Sequence, residues 1–279
     1  MGLFRSPDNG KSWDYIDVGF PYPSINKIIV DPLDSNIIYI AMSFWGVYKS
    51  QNKGVTWKPV NAGLGSEIHF ADMAVDPMNP ETLYLVQYDG SVYKTTNGGL
   101  FWNKLTAGWP AQSDCKRFSP SQIDVDPGNP SSLYVLDRSC GIYKSTDRGE
   151  YWERIFYRGN GSIVTLFIDP GTSSIYVAVV DNSNSDVIFK TDNGGTSWHI
   201  SHYGLPDIKT PFFLITDPAT ATTLYLGSGE GIFKNENSGE WMSMGKLSTF
   251  VFNLSISPST PPVLHAGTSS GVYSLPLAR

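Results

Sequence analysis

Two aspartates, Asp72 and Asp124, stand a few residues ahead of Asp-Pro steps, in "ADMAVDP" and "QIDVDP". Carboxylates facing one another can share acid and base work at a glycosidic bond, and their separation selects retaining or inverting chemistry. A second set is cationic and aromatic: Trp109, Lys116, Arg117, Arg138, Tyr157 and Arg158, with Trp45 upstream. Rings stack on sugars or grip a peptide. The four cations, on a chain of net charge −6, make a local positive field suited to an acidic glycan or anionic peptide. The competing reading is that these cations neutralise nearby Asp114, Asp137 and Glu153. A third set is Cys115 and Cys140, the only cysteines, too few for a metal site by themselves.

What must position these groups is a repeat. "SPDNGKSW" (6–13) returns as "SQNKGVTW", "TTNGGLFW", "STDRGEYW", "TDNGGTSW" and a shortened "NENSGEW". The tryptophans Trp13, Trp57, Trp102, Trp152, Trp198 and Trp241 step by 44, 45, 50, 46 and 43 residues. Around each turn the same longer unit recurs. A first apolar stretch ends in Asp-Pro ("KIIVDP", "IDVDP"), and the sixth copy has Ser257 in place of the aspartate. A second ("TLYLV", "SLYVL") and a third ("SVYKT", "GIYKS") follow, and the tryptophan opens a fourth.

These runs are short, β-branched or aromatic, and bounded by Gly, Pro, Asn and Asp, so they read as strands. Four strands per unit of about 45 residues is the pattern of a propeller blade. Residues one and three before each Asp-Pro are apolar, including Ile28 and Val30, with Thr216 the one exception, as packing between blades requires. The expectation is an all-β, single-domain β-propeller over residues 1–279 with four-stranded antiparallel blades. Six blades are favoured, seven being the alternative. Closure would come from pairing 13–17 with the three C-terminal strands. One third strand, 2–5 or 271–275, is then surplus, or the chain is cut from a longer parent.

The turn, Ser/Thr-x-Asp-x-Gly-x-x-Trp, resembles the Asp-box of bacterial-neuraminidase-repeat propellers. That family includes sialidases, sortilin-type receptors, xyloglucan-cleaving hydrolases and photosystem assembly factors. The resemblance implies that the turn joins third and fourth strands on the face away from the usual binding site. Asp8 and Asp147 then brace their own turns, with Asn97 and Asn193 in the same role. Gly10, Gly54, Gly99, Gly149 and Gly195 supply positive φ, and each tryptophan buries its ring between blades. Asn52, Asn97 and Asn237 in the carboxylate position, with no closing bidentate glutamate, argue against calcium. No metal and no cofactor is expected.

Function is expected on the opposite face, among the loops entering first strands and joining second to third. Propeller topology places Cys115 and Cys140 together there, so a disulfide is expected if their Cα atoms lie within about 7 Å. A sialidase needs an arginine triad and an Arg-Ile-Pro motif; the seven arginines here are mostly clustered and that motif is missing. The xyloglucan-cleaving hydrolases draw a carboxylate from each of two propellers, and here there is one, so Asp72 and Asp124 read rather as solvated carboxylates lining the axis. The reading is a binding or scaffold module for a glycan, peptide or protein, with a glycoside hydrolase as the alternative. No lysine or arginine block points to nucleic acid, and no apolar run approaches the ~20 residues of a membrane helix. No signal peptide precedes the first turn. The resemblance implies an extracellular or periplasmic setting.

Overall fold

The computed structural model describes the chain apart from residues 1, 22, 66–68, 106–107, 110–114, 116–117, 160, 182–186, 207–210, 238, 246, 248, 258 and 278–279. Among the described residues all regular structure is strand. Six antiparallel sheets form the blades of a β-propeller fold. They are β3–β6 (Ile25–Val30, Ile38–Met42, Gly46–Ser50, Lys58–Pro59) and β7–β10 (Phe70–Val75, Leu83–Gln87, Val92–Thr95, Asn103–Leu105). Next come β11–β14 (Pro120–Val125, Leu133–Asp137, Gly141–Ser145, Glu153–Phe156) and β15–β18 (Gly161–Ile168, Ile175–Asp181, Val187–Thr191, His199–Ile200). The last two are β19–β22 (Pro211–Asp217, Thr220–Ser228, Gly231–Glu236, Trp241–Ser243) and the three-stranded β23–β25 (Val251–Ser257, Val263–Thr268, Gly271–Pro276). β1 (Leu3–Arg5) and β2 (Asp14–Ile16) make a separate two-stranded sheet.

By compactness the chain divides into two units, residues 1–5 with 14–157, and residues 6–13 with 158–279. In the first, apolar clusters lie between successive sheets: Tyr39, Val47, Leu83, Leu85 and Trp102 in one, Tyr84, Ile123, Val135 and Trp152 in the next. In the second, Ile188, Leu224, Leu226 and Trp241 form one cluster, and Tyr225, Ile232, Leu254 and Leu264 another. Second strands are the most enclosed; all five residues of β8 and of β12 are buried.

Two devices recur with the repeat. A tyrosine on the second strand faces a lysine on the third, and the ammonium lies over the ring. The distances are 5.0 Å for Lys49 on Tyr39, 5.6 Å for Lys94 on Tyr84, 5.7 Å for Lys144 on Tyr134 and 5.6 Å for Lys190 on Tyr176. In addition, every first strand carries a register shift near its start, between Ile25 and Lys27, Phe70 and Asp72, Pro120 and Gln122, and at the matching places in β15, β19 and β23. A bulge there bends the strand and re-aims the side chains beside it.

The tryptophan turns are braced from within. Ser145 Oγ accepts the Gly149 N–H at 2.8 Å, and the Asp147 carboxylate accepts the Tyr151 N–H at 3.0 Å. Asn52, Asn97 and Asn193 do the same work with an amide oxygen, accepting N–H groups of Thr56, Phe101 and Ser197 at 2.9–3.0 Å. Gly10, Gly54, Gly99, Gly149 and Gly195 hold φ between 84° and 98°. A side chain there would meet left-handed strain.

Two expectations need correction, and the pairing expected to close a ring is not shown. β2 pairs with β1, joined to it by the locally braced turn 6–13, and the ladder from β2 to β25 that would close a ring is not among the described pairings. Burial of the tryptophans is uneven: Trp102, Trp152 and Trp241 are enclosed, Trp57 and Trp198 half-buried, and Trp13 is 46% exposed. In β3 the apolar alternation inverts, with Ile29 buried and Ile28 and Val30 about half exposed. Of β3, only Ile25 joins the apolar cluster that Leu3, Ile16 and Val18 make with Ile40 and Met42; Ile28 and Val30 lie outside it.

Candidate functional site

The first-strand bulges bring polar side chains of β3, β7 and β11 together. Lys27, Asp72 and Gln122 each lie four residues before an Asp-Pro aspartate. Lys27 Nζ meets Asp72 Oδ1 at 2.9 Å, and Asp72 Oδ2 accepts the Ile123 N–H at 3.2 Å. Asp72 thus ties three neighbouring strands. Gln122 donates its amide to Asp124 Oδ2 at 2.6 Å. Burial pushes the Asp124 carboxyl up to about 6; Lys27 pulls the other way, and the Asp72 charge adds to the rise. Burial alone would lower the Lys27 ammonium, but Asp72 and Asp124 more than offset it and hold it above its ordinary value.

A carboxyl titrating near 6 is poised for acid–base work. Its neighbour is not: Asp72 has one oxygen on an ammonium and the other on a backbone N–H. The pair has the geometry of a tether between strands.

Exposed aromatics sit on loops of the same unit. Phe44 and Trp45, between β4 and β5, are 68% and 46% exposed, and Tyr88, between β8 and β9, is 45% exposed. Phe44 adopts φ 68°, a left-handed conformation rare for a bulky residue, and meets His69 edge-on with centroids 4.7 Å apart. Trp45 leans on Phe20 at 4.5 Å. The Tyr88 carbonyl accepts the Ser119 hydroxyl at 2.9 Å, linking this loop to the entry of β11. Loop chemistry found Trp45; Phe44's backbone has no signature in sequence, since glycine or asparagine is the usual occupant of that region.

The cationic and aromatic set fares differently. Trp109 is half-buried, stacked on Trp152 at 4.7 Å and 13° and packed on Phe118 and Tyr143. It is part of the wall, because an indole beside a core tryptophan gains more from stacking than from solvent. Lys116 and Arg117 lie outside the described residues. Arg138 is exposed, and Tyr157 is 38% exposed beneath the Arg154 guanidinium at 4.3 Å. Arg158 belongs to the second unit, where its guanidinium lies 5.1 Å from the Phe189 ring. Cys115 and Cys140 are joined by a disulfide with Cα atoms 5.1 Å apart. Among the described residues no cluster of three or more His, Cys, Asp or Glu could hold a metal, and no helix is long and apolar enough to cross a membrane.

No protein-family model matches the chain, and no curated protein matches it in sequence. Solved structures do. An ancestral GH74 enzyme superposes with TM-score 0.77 at 18% identity, over 96% of this chain and 40% of that one. The GH74 xyloglucanase from Xanthomonas campestris gives 0.71 at 16%, over 96% and 47%. YCF48 bound to D1 peptide gives 0.67 at 17%, over 91% and 78%. The chain spans less than half the length of the two GH74 proteins. At these identities the likeness is one of fold.

Proposed function

We propose that this is a binding propeller of the Asp-box kind, engaging a glycan or an extended peptide across the loop aromatics Phe44, Trp45 and Tyr88, with Arg138 and Tyr157 supplying further contacts. The observation that carries the reading is Phe44. A large apolar side chain held exposed at positive φ is disfavoured twice over, by strain and by hydration, and such outliers gather at ligand sites. Exposed rings on consecutive loops suit stacking against sugars or peptide side chains. Arg138 favours an anionic ligand, bound more weakly as salt rises. YCF48, which shares the fold, is bound to a peptide. The disulfide fits an oxidising, extracellular or periplasmic compartment.

The test is an array of glycans and peptides probed with the whole chain, then with Trp45→Ala/Tyr88→Ala and with Arg138→Glu. The double variant should lose roughly tenfold or more of the affinity for any captured ligand. Unchanged capture by both variants places the site elsewhere.

A hydrolase reading draws on one observation, the raised Asp124 carboxyl. Under it, xyloglucan would be cleaved and Asp124→Asn would abolish cleavage. Intact substrate after prolonged incubation with the unaltered chain ends that reading.

A further inference from the structure

Within each unit, neighbouring sheets meet beside the Asp-Pro aspartates, and the space there is filled differently at each junction. Between β3–β6 and β7–β10 the filler is Glu81, whose carboxylate lies 3.9 Å from the Lys49 ammonium. Gly98 has no room for a side chain there, since a Cβ would sit 2.7 Å from that ammonium and 3.1 Å from the Tyr39 hydroxyl. Between β7–β10 and β11–β14 the filler is Arg148, whose guanidinium lies 3.8 Å from the buried Asp76 carboxylate. Between β15–β18 and β19–β22 the place of Arg148, four residues before the tryptophan, belongs to Asn237. The main chain is the same at both: the Arg148 N–H donates to Ser131 at 3.0 Å and the Asn237 N–H to Thr222 at 2.8 Å, with φ 63° and 53°. The shorter side chain leaves a cleft of about 240 Å³, lined by Asp169, Ser174, Tyr176, Lys190, Thr222 and Asn237.

One carboxylate in this cleft is only half used. Asp169 is 3% exposed, and a carboxylate so enclosed is ordinarily paired. Its Oδ1 accepts the Gly171 N–H at 2.8 Å, while among the described residues nothing donates to Oδ2. Asp76, by contrast, accepts the Met78 and Asn79 N–H groups on Oδ1 and faces the guanidinium with Oδ2. The difference begins in the sequence, where the segment from Asp169 to Tyr176 is one residue shorter than that from Asp76 to Tyr84. Lys190, the cation lining the cleft, is committed elsewhere. Its ammonium pairs with Asp192 Oδ1 at 2.8 Å, and the Ser174 hydroxyl donates to the same oxygen at 2.6 Å. Asp169 therefore leaves the cleft with an uncompensated negative charge, and one carboxylate is too few to hold a metal ion.

We infer that this cleft binds a guanidinium group, which donates to Asp169 Oδ2, with the exposed Thr222 and Asn237 side chains offering further acceptors at the rim. The molecule supplies its own precedent, since Arg148 brings the same group to Asp76 at the equivalent junction. A planar fork of five donors satisfies a carboxylate and its neighbouring acceptors together, which the point charge of an ammonium does less well. The cleft exceeds the roughly 150 Å³ that accepts benzene, a larger group than guanidinium, in an engineered core. A free guanidinium compound and an arginine side chain present the same chemistry. No residue of the cleft belongs to the loop aromatics, so the two sites stand or fall separately.

The experiment is a two-dimensional NMR titration of the whole chain with N-acetylarginine amide, and with N-acetylcitrulline amide, which puts a neutral urea in place of the guanidinium. Saturable shifts are expected at the Thr222 and Asn237 amides with the arginine compound, and affinity roughly tenfold or more lower for the citrulline compound. Asp169→Asn keeps an oxygen for the Gly171 N–H but removes the charge, and should weaken the arginine compound by a similar factor. Asn237→Arg places a tethered guanidinium in the cleft and should abolish binding of the added one. Its site is exposed and its backbone conformation already carries an arginine at 148, so it keeps the result readable if Asp169→Asn does not fold. The pentapeptide Gly-Gly-Arg-Gly-Gly separates the sources: tighter binding than the amide assigns the cleft to an arginine side chain of a polypeptide, and equal or weaker binding assigns it to a free compound. Equal affinity for the arginine and citrulline compounds, no saturation at millimolar arginine compound, or binding undiminished by Asn237→Arg overturns the inference.

Discussion

At the scale of single residues, enclosure decides what a tryptophan is worth. Trp102 and Trp152 are within 1% of complete burial, and alanine at either should cost roughly 3–5 kcal/mol in urea unfolding. Trp13, 46% exposed, should cost well under half of that; equal losses at Trp13 and Trp152 would contradict this ranking. Asp124 sets a pH dependence. Its folded-state value near 6 lies above the ordinary 3.8, so the stability attached to this group is complete below about 3.8 and declines as pH rises through 6. Unfolding midpoints compared between pH 4 and 7 should fall less for Asp124→Asn than for the parent chain. The sequence exposed the tryptophans because their spacing is a property of the chain itself. It did not expose which of them is enclosed, since that depends on whether a neighbouring sheet lies against the ring. Asp72 and Asp124 were visible as a pair for the same reason; the Lys27 ammonium that claims Asp72 was visible only as an alternate position on another strand.

Among elements, the turns and the disulfide carry separable contributions. Ser145→Ala strands the Gly149 N–H and removes the hydroxyl bond to Asp147, at an expected cost of about 1–3 kcal/mol. Asp147→Asn should be close to neutral, because Asn52, Asn97 and Asn193 already hold equivalent turns; a loss as large as that of Ser145→Ala would show that the charge itself matters. Reducing Cys115–Cys140, which closes a 25-residue separation, should lower stability by about 2–4 kcal/mol, read as a shift in urea midpoint with and without reductant. Strand type and order were legible because turn chemistry and β-branched runs are local signals. The six bulges were not, since a register shift is a relation between two strands and is not written in either strand's sequence alone. Nor was the partner of β2 legible, because β1 and β25 carry the same third-strand pattern.

For the molecule as a whole, repetition implies stability graded along the chain. Sheets that contact mainly their neighbours open locally, and the least enclosed open first. Amide exchange should therefore be slowest in β8 and β12, whose residues are all buried, and fastest in β25 and in β1–β2. Uniform protection across all seven sheets would contradict a graded molecule.

The tyrosines beneath the lysines set an alkaline boundary. Burial raises the Tyr39, Tyr134 and Tyr176 hydroxyls well above their usual value of 10.0, with nearby carboxylates adding to the effect, and raises Tyr84 to about 12. Each therefore contributes stability that is complete below pH 10 and drains away as pH rises towards the folded value. Because the same group recurs in four blades, base attacks all four at once. Absorbance at 295 nm should show the exposed phenols ionising in a smooth first wave. The four buried phenols with raised values should follow as an abrupt second wave, coincident with loss of the β-sheet circular dichroism.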